Sequence, residues 1–161
     1  MTPAIDLLRA LGIDHSITEY AHDPENVSYG DEAVLALGVD ADAVFKTLLV
    51  SLDSASSNSD SLAVAVVPVG ARLDLKAVAH AAGAKRATMA DPAEAERRTG
   101  YVLGGISPFG QKRQFPTFVD EWALALDVVH CSGGRRGLEV SLAPEAFVDA
   151  LDATFTAIAV W

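Results

Sequence analysis

Thr99 to Gly110 reads TGYVLGGISPFG, with four glycines, a serine and a proline in twelve residues. So little side chain cannot build a helix face or a strand face of its own. What such a run offers is backbone: tight turns, close approach to another group, and N–H groups free to point at a ligand. The regular elements on either side must therefore fold around an irregular, glycine-lined segment. Two readings stand at this point. The run is a loop that needs tight turns, or it is the floor of a pocket for a small molecule or a nucleotide end.

The remaining chain is the right size for one frame around that segment. Its 161 residues form a single domain, 1–161. Half of them are apolar, enough for a core without disulfides. The one cysteine, Cys131, excludes a disulfide framework within the chain and fits a reducing compartment. No N-terminal stretch reads as a signal peptide, and no apolar run approaches the ~18 residues of a membrane span. A cytoplasmic protein without a membrane partner is expected.

Charge narrows the partners. The net charge is −10, which argues against a protein that wraps duplex DNA. The distribution is uneven. Residues 1–60 hold 11 acidic against 2 basic side chains, and residues 61–161 hold 11 against 10. The basic residues come in pairs: Lys85-Arg86, Arg97-Arg98, Lys112-Arg113 and Arg135-Arg136. The second part can make a local phosphate contact, or the pairs are simply solvated surface.

Punctuation by caps and glycines sets the elements. Thr2-Pro3 opens a helix that Gly12 closes. His15 to Tyr20 alternates as a strand. After the loop AHDPENVS, Ser28 and Asp31 have the spacing of a capping box for a helix that Gly38 ends. Asp40 to Phe45 reads as a helical turn with Lys46 at its exit, followed by a strand from Thr47 to Leu52. Asp53 to Asp60, DSASSNSD, reads as a mobile hairpin loop. Ser61 to Val69 returns as a strand, with Pro68 at an edge or at the strand end.

Asp74 caps a helix that runs to Gly83, Ala84 to Met89 is a short strand, and Asp91-Pro92 starts a helix that ends at Gly100. Three strands follow the glycine segment: Gln114 to Asp120, Leu126 to Ser132, and Gly137 to Leu142. The last two are joined by the hairpin SGGRRG. Ala143 to Phe155 reads as an amphipathic helix on Phe147, Leu151 and Phe155, and Thr156 to Trp161 as a final strand. Helices and strands mix without strict βαβ alternation. The expected class is α+β, with a curved mixed sheet or small barrel and flanking helices.

The familiar chemistries find little purchase. His130 and Cys131 are neighbours on a strand, so their side chains point to opposite faces and do not pair; a structural cysteine is the plainer reading. Ser107 sits in GISP, which is not a G-x-S-x-G elbow. The histidines at 15, 22, 80 and 130 show no ligand spacing, His22-Asp23 being the best of a weak set, and no cofactor is expected. There is no phosphate loop. Lys46 is left, either an exposed lysine near a helix C-terminus or a cation held in a cleft.

Several stretches together carry a resemblance. They are Thr2-Pro3-Ala4, Tyr20 to Pro24, Val44-Phe45-Lys46-Thr47-Leu48, Ala90-Asp91-Pro92, Thr99 to Pro108, and Ser132 to Gly137. In this order, and over nearly the whole chain, they resemble the YbaK/EbsC family of aminoacyl-tRNA deacylases, and within it the Cys-tRNA(Pro) deacylase branch.

The resemblance implies a trans-editing hydrolase that clears cysteine mischarged onto tRNA(Pro). Its partners would be the acceptor end of the mischarged tRNA and prolyl-tRNA synthetase. Cysteine and proline differ too little in size for binding alone to separate them, so a second site is a physical remedy. In that branch the substrate's own sulfur is regarded as the nucleophile. Carried over, Lys46 and Gly104 would be catalytic. Tyr20, Tyr29, Thr47, Gly105, Ile106, Ser107, Ser132 and Glu139 would bind substrate, with N–H groups around Gly104 to Ile106 facing the developing oxyanion. Two positions depart from the better-known members: Tyr29 stands where they have Phe, and Glu139 where they have Asp. An Ala-tRNA(Pro) deacylase and a non-catalytic module that binds synthetase or tRNA are the alternatives.

Overall fold

The computed structural model describes residues 1–53 and 61–161. The expected hairpin loop lies, apart from Asp53, outside the described residues. In chain order the elements are α1 (Pro3–Ala10), β1 (Ser16–Glu19), α2 (Tyr29–Leu37), β2 (Phe45–Asp53), β3 (Leu62–Pro68) and β4 (Arg72–Leu73). Then come α3 (Leu75–Ala82), β5 (Arg86–Met89), α4 (Pro92–Thr99) and β6 (Thr117–Asp120), followed by a 3-10 turn (Glu121–Ala125). The chain ends with β7 (Val129–Arg135), β8 (Leu138–Leu142), α5 (Glu145–Leu151), β9 (Thr154–Thr156) and β10 (Ala159–Val160).

The run LAVAVVP explains where β3 goes. Every residue of it is buried, so it cannot be an edge with a wet face. It takes the centre of a five-stranded mixed sheet of order β5-β2-β3-β6-β9. β2 pairs antiparallel on one side, and β6 pairs parallel on the other. Alternation then sends Val64 and Val66 into the larger core and Ala63, Ala65 and Val67 into the smaller one. Pro68 is tolerated because it stands at the strand end, where no ladder N–H is missed.

β1, β8 and β7 form a second, three-stranded antiparallel sheet, and β10 pairs β4. The two larger sheets touch where Val44 bridges His130 and the His130 N–H donates to the Ala43 carbonyl at 3.0 Å. The class is α+β. Of the two expected shapes the mixed sheet is the one found; among the described residues no barrel closes.

Several local expectations change. Lys46 lies inside β2, which begins at Phe45; the helical turn before it stops short. Ser28 is the N-cap of α2, yet no side-chain capping bond forms, because its backbone is not in the extended conformation that aims the hydroxyl at the helix. The 4-residue spacing of Phe147, Leu151 and Phe155 does not continue as one helix. Asp152, at φ 53°, caps α5 in the left-handed conformation. Phe155 reaches the core from β9 instead, opposite Val119. The final strand is likewise split into β9 and β10, and the segment before β7 carries the 3-10 turn.

Candidate functional site

The glycine segment, α2, the start of β2 and the β7–β8 hairpin converge on a cavity of about 310 Å³. Lys46, Thr47 and Leu48 come to it from β2, and Tyr29, Gly30 and Ala33 from α2. Leu103, Gly104 and Ile106 close one side, and Ser132 and Glu139 stand on β7 and β8. Val44, Phe45 and Val69 complete an apolar wall.

Polar groups in this wall are few and poised. The Lys46 ammonium donates to the Ala71 carbonyl at 2.8 Å, which leaves two of its three donors uncommitted. Burial lowers its pKa, and the Asp31 carboxylate pulls the other way. Glu139 is 7% exposed, and burial pushes its carboxyl up to about 8. At neutral pH it is mostly protonated, a neutral acid that can donate as well as accept. Its Oε2 and the Thr47 hydroxyl are buried without a partner among the described residues. Two orphaned polar atoms in one cavity cost free energy unless something supplies the missing bonds. The Ser132 hydroxyl, by contrast, accepts from the Gly134 N–H at 3.1 Å.

The glycines are there for close approach. A Cβ on Gly104, whose φ is +82°, would stand 2.6 Å from Tyr29 Cγ. One on Gly105 would stand 2.7 Å from the Arg135 Cα. The Gly105 N–H is spent on the Val102 carbonyl at 2.9 Å. The N–H groups of Gly104 and Ile106 make no bond among the described residues. These two N–H groups flank Gly105 and belong to residues that line the cavity.

Tyr29 is held from three sides. Its ring lies against Gly104, under the Arg136 guanidinium at 4.7 Å, and 5.8 Å from the His22 ring. His22 Nδ1 and Glu32 Oε1 are 2.6 Å apart, and Glu32 Oε2 accepts from the Asp23 N–H at 2.9 Å. These bonds hold Glu32 below the usual carboxylate range and tie the AHDPENVS loop to α2. So His22, the best of the weak metal candidates, has a structural partner. Among the described residues no group of three or more His, Cys, Asp or Glu is arranged to hold a metal ion.

Of the residues named from sequence, Lys46, Gly104, Tyr29, Thr47, Ile106, Ser132 and Glu139 meet in the cavity. Tyr20, Gly105 and Ser107 do not line it. Ser107 is fully buried and its hydroxyl accepts from the Phe109 N–H at 3.2 Å, so it shapes the segment from behind. Tyr20 follows β1, and its hydroxyl is raised to about 12 by burial and then by Glu139 and Glu32. Cys131 is fully buried, and burial together with Glu139 raises its thiol pKa well above the ordinary value. Leu48, Val44, Ala33 and Val69 were not foreseen. Leu48 and Ala33 lie in β2 and α2, Val44 and Val69 stand just outside the ends of β2 and β3, and nothing in their spacing separates them from core.

The aminoacyl-tRNA editing domain model matches residues 24–150. The chain is 33% identical over 157 residues to a protein of Enterococcus faecalis provisionally named Cys-tRNA(Pro)/Cys-tRNA(Cys) deacylase EbsC, covering 98% of this chain and 92% of that one. It is 31% identical over 123 residues to a proline–tRNA ligase of Shouchella clausii, 76% of this chain but 20% of the ligase.

Two solved structures share the fold. One is the hypothetical protein APE2540, at TM-score 0.85 and 23% identity, over 98% of this chain and 99% of that one. The other is a provisional trans-editing enzyme for prolyl-tRNA synthetase, at TM-score 0.83 and 21% identity, over 99% and 96%. With the family model over most of its length and a near full-length relative at one-third identity, this chain belongs to the aminoacyl-tRNA editing domain family.

Proposed function

We propose that the protein deacylates tRNA(Pro) mischarged with cysteine, and that the substrate supplies the nucleophile. The observation that carries this is that Lys46 shares a cavity with two unsatisfied polar atoms, on Thr47 and Glu139, and that among the described residues no hydroxyl of its wall is hydrogen-bonded to a side-chain base. Cys131 and Ser107 are buried off that wall, and the Ser132 hydroxyl is engaged with backbone. The provisional name of the Enterococcus faecalis relative supports the same substrate.

In this reading the cysteinyl sulfur attacks its own ester carbonyl. A C–S bond forms, the bond between the carbonyl carbon and the ribose oxygen breaks, and the thiol proton ends on the departing ribose hydroxyl. The products are free tRNA and a cysteine thiolactone, which water then opens. Lys46 orients the 3′ end. The N–H groups of Gly104 and Ile106 face the oxyanion as it develops, where fixed donors in a dry site are worth most. The acidic chain relies on prolyl-tRNA synthetase for selection of the tRNA, in a cytoplasmic ternary complex.

The test is deacylation of Cys-tRNA(Pro) and Ala-tRNA(Pro) side by side. Turnover of the cysteinyl ester, with thiolactone trapped by a nucleophile, is the expected result. Turnover of the alanyl ester alone would overturn the choice of substrate, because alanine has no sulfur to attack with.

A further inference from the structure

Half of the chain's 12 Lys and Arg residues lie beside the glycine segment: Arg97, Arg98, Lys112, Arg113, Arg135 and Arg136. Three of them are neutralised. Arg97 and Arg98 pair with Glu94, and Arg135 pairs with Glu19 at 3.3 Å. Lys112, Arg113 and Arg136 have no carboxylate partner among the described residues.

Their placement is ordered by the segment itself. At one end the Lys112 side chain lies along Gly100, where a Cβ would stand 3.0 Å from its Cγ. Next to it Arg113 is exposed, its guanidinium over the Phe115 ring at 5.6 Å. In the middle of the segment the Arg135-Arg136 backbone abuts Gly105. Arg136 Nε donates to the Leu103 carbonyl at 2.7 Å while its guanidinium covers Tyr29, a wall of the cavity. Nε and the ring face fix the plane of this fork and leave its terminal nitrogens, the part that matches a phosphate, uncommitted.

We propose that the edge of the glycine segment is a phosphodiester track for a single-stranded RNA 3′ end. Arg136 takes the phosphate next to the aminoacylated nucleoside, and Lys112 and Arg113 take phosphates further back along the strand. A chain of net charge −10 repels RNA at long range, so contact has to come from a few local cations left unpaired. The track rests on the deacylase reading for its direction but not for its existence, since it can be measured on RNA that carries no amino acid.

The experiment uses the full chain, wild type and Lys112→Ala/Arg113→Ala, with an uncharged RNA oligonucleotide that ends in the tRNA acceptor sequence. Fluorescence anisotropy over a salt series is the readout. Loss of two phosphate contacts flattens the slope of log K against log salt by ~1.4 and weakens binding about tenfold at low salt. In parallel, deacylation is compared on charged tRNA and on a phosphate-free aminoacyl adenosine.

The double variant should lose kcat/KM on tRNA and keep it on the adenosine ester. Lys112→Arg/Arg113→Lys, which keeps both charges, should restore tRNA turnover. An unchanged salt slope, or equal losses on both esters, would overturn the track. A wild-type protein that binds the RNA with the expected slope but hydrolyses neither ester would instead sink the deacylase reading and leave the track standing.

Discussion

The ring of Tyr29 fills the space that any side chain at position 104 would need, 2.6 Å from where a Cβ on Gly104 would sit. Gly104 is thus fixed twice, by its φ of +82° and by the ring. Gly104→Ala should cost roughly 1–3 kcal/mol from backbone strain alone, and more while Tyr29 is present. Adding Tyr29→Ala removes the clash and leaves the strain, so the double variant should recover only part of the lost Tm. A thermal-shift cycle of the four proteins checks this, and full additivity would show that the two residues do not press on each other.

Lys46→Ala should abolish deacylation, by a hundredfold or more in kcat/KM, while the protein still folds. The loss on the structural side is one hydrogen bond to the Ala71 carbonyl, about 1 kcal/mol. Circular dichroism and the deacylation assay together decide it; near wild-type turnover would remove Lys46 from the mechanism.

Glu139 predicts a pH dependence with a definite sign. Its carboxyl pKa is raised from 4.5 to about 8 on folding, so the folded state binds the extra proton between those values. Stability contributed by this group is full below about pH 4.5 and declines as pH rises toward 8, by up to roughly 1.4 kcal/mol per pH unit. Glu139→Gln keeps the shape and removes the titration. Its Tm should fall less between pH 5 and 8 than that of the wild type, and parallel curves would refute the assignment.

Asp120 should be the costliest surface-distant residue to lose. It is 4% exposed, and its carboxylate accepts from the N–H groups of Trp122, Ile158 and Ala159 at 2.8–2.9 Å. Asp120→Ala leaves three donors unpaired and should lower stability by roughly 3 kcal/mol or more. Denaturant unfolding measures this, and proteolysis should show the end of the chain after α5 released first.

How much of this was legible depended on whether the signal was local. Thr2-Pro3, Asp74 and Asp91-Pro92 marked helix starts correctly because a cap is made within one turn. Gly38, Gly83 and Gly100 marked helix ends for the same reason. Phe155 misled, because a spacing of four survives a break at Asp152 when the next element delivers the side chain to the same core. The pairing of β1 with β8 joins residues more than a hundred apart, and nothing in SITE or LEVSL announces it.

The site divides along the same line. Lys46 was the charge left over once the familiar chemistries were set aside, and Gly104 was named individually only through the family resemblance. Ser107 carried the same local signature as its neighbours and turned out to face inward. Gly105 was read as a ligand donor, but its N–H closes a turn on Val102. Val44 and Val69 line the cavity only because β2 and β3 end beside it, which is a property of the topology.

The burial of Cys131 has a practical corollary. Cys131, the one cysteine of the chain, is fully buried, and burial holds its thiol well above the ordinary pKa, so the folded protein shields it from reagents. An alkylating reagent should therefore leave the native protein unmarked and label it only when the β7–β8 sheet opens. The single cysteine becomes a clock for that opening, read by mass spectrometry after timed exposure of the substrate-free native protein to the reagent.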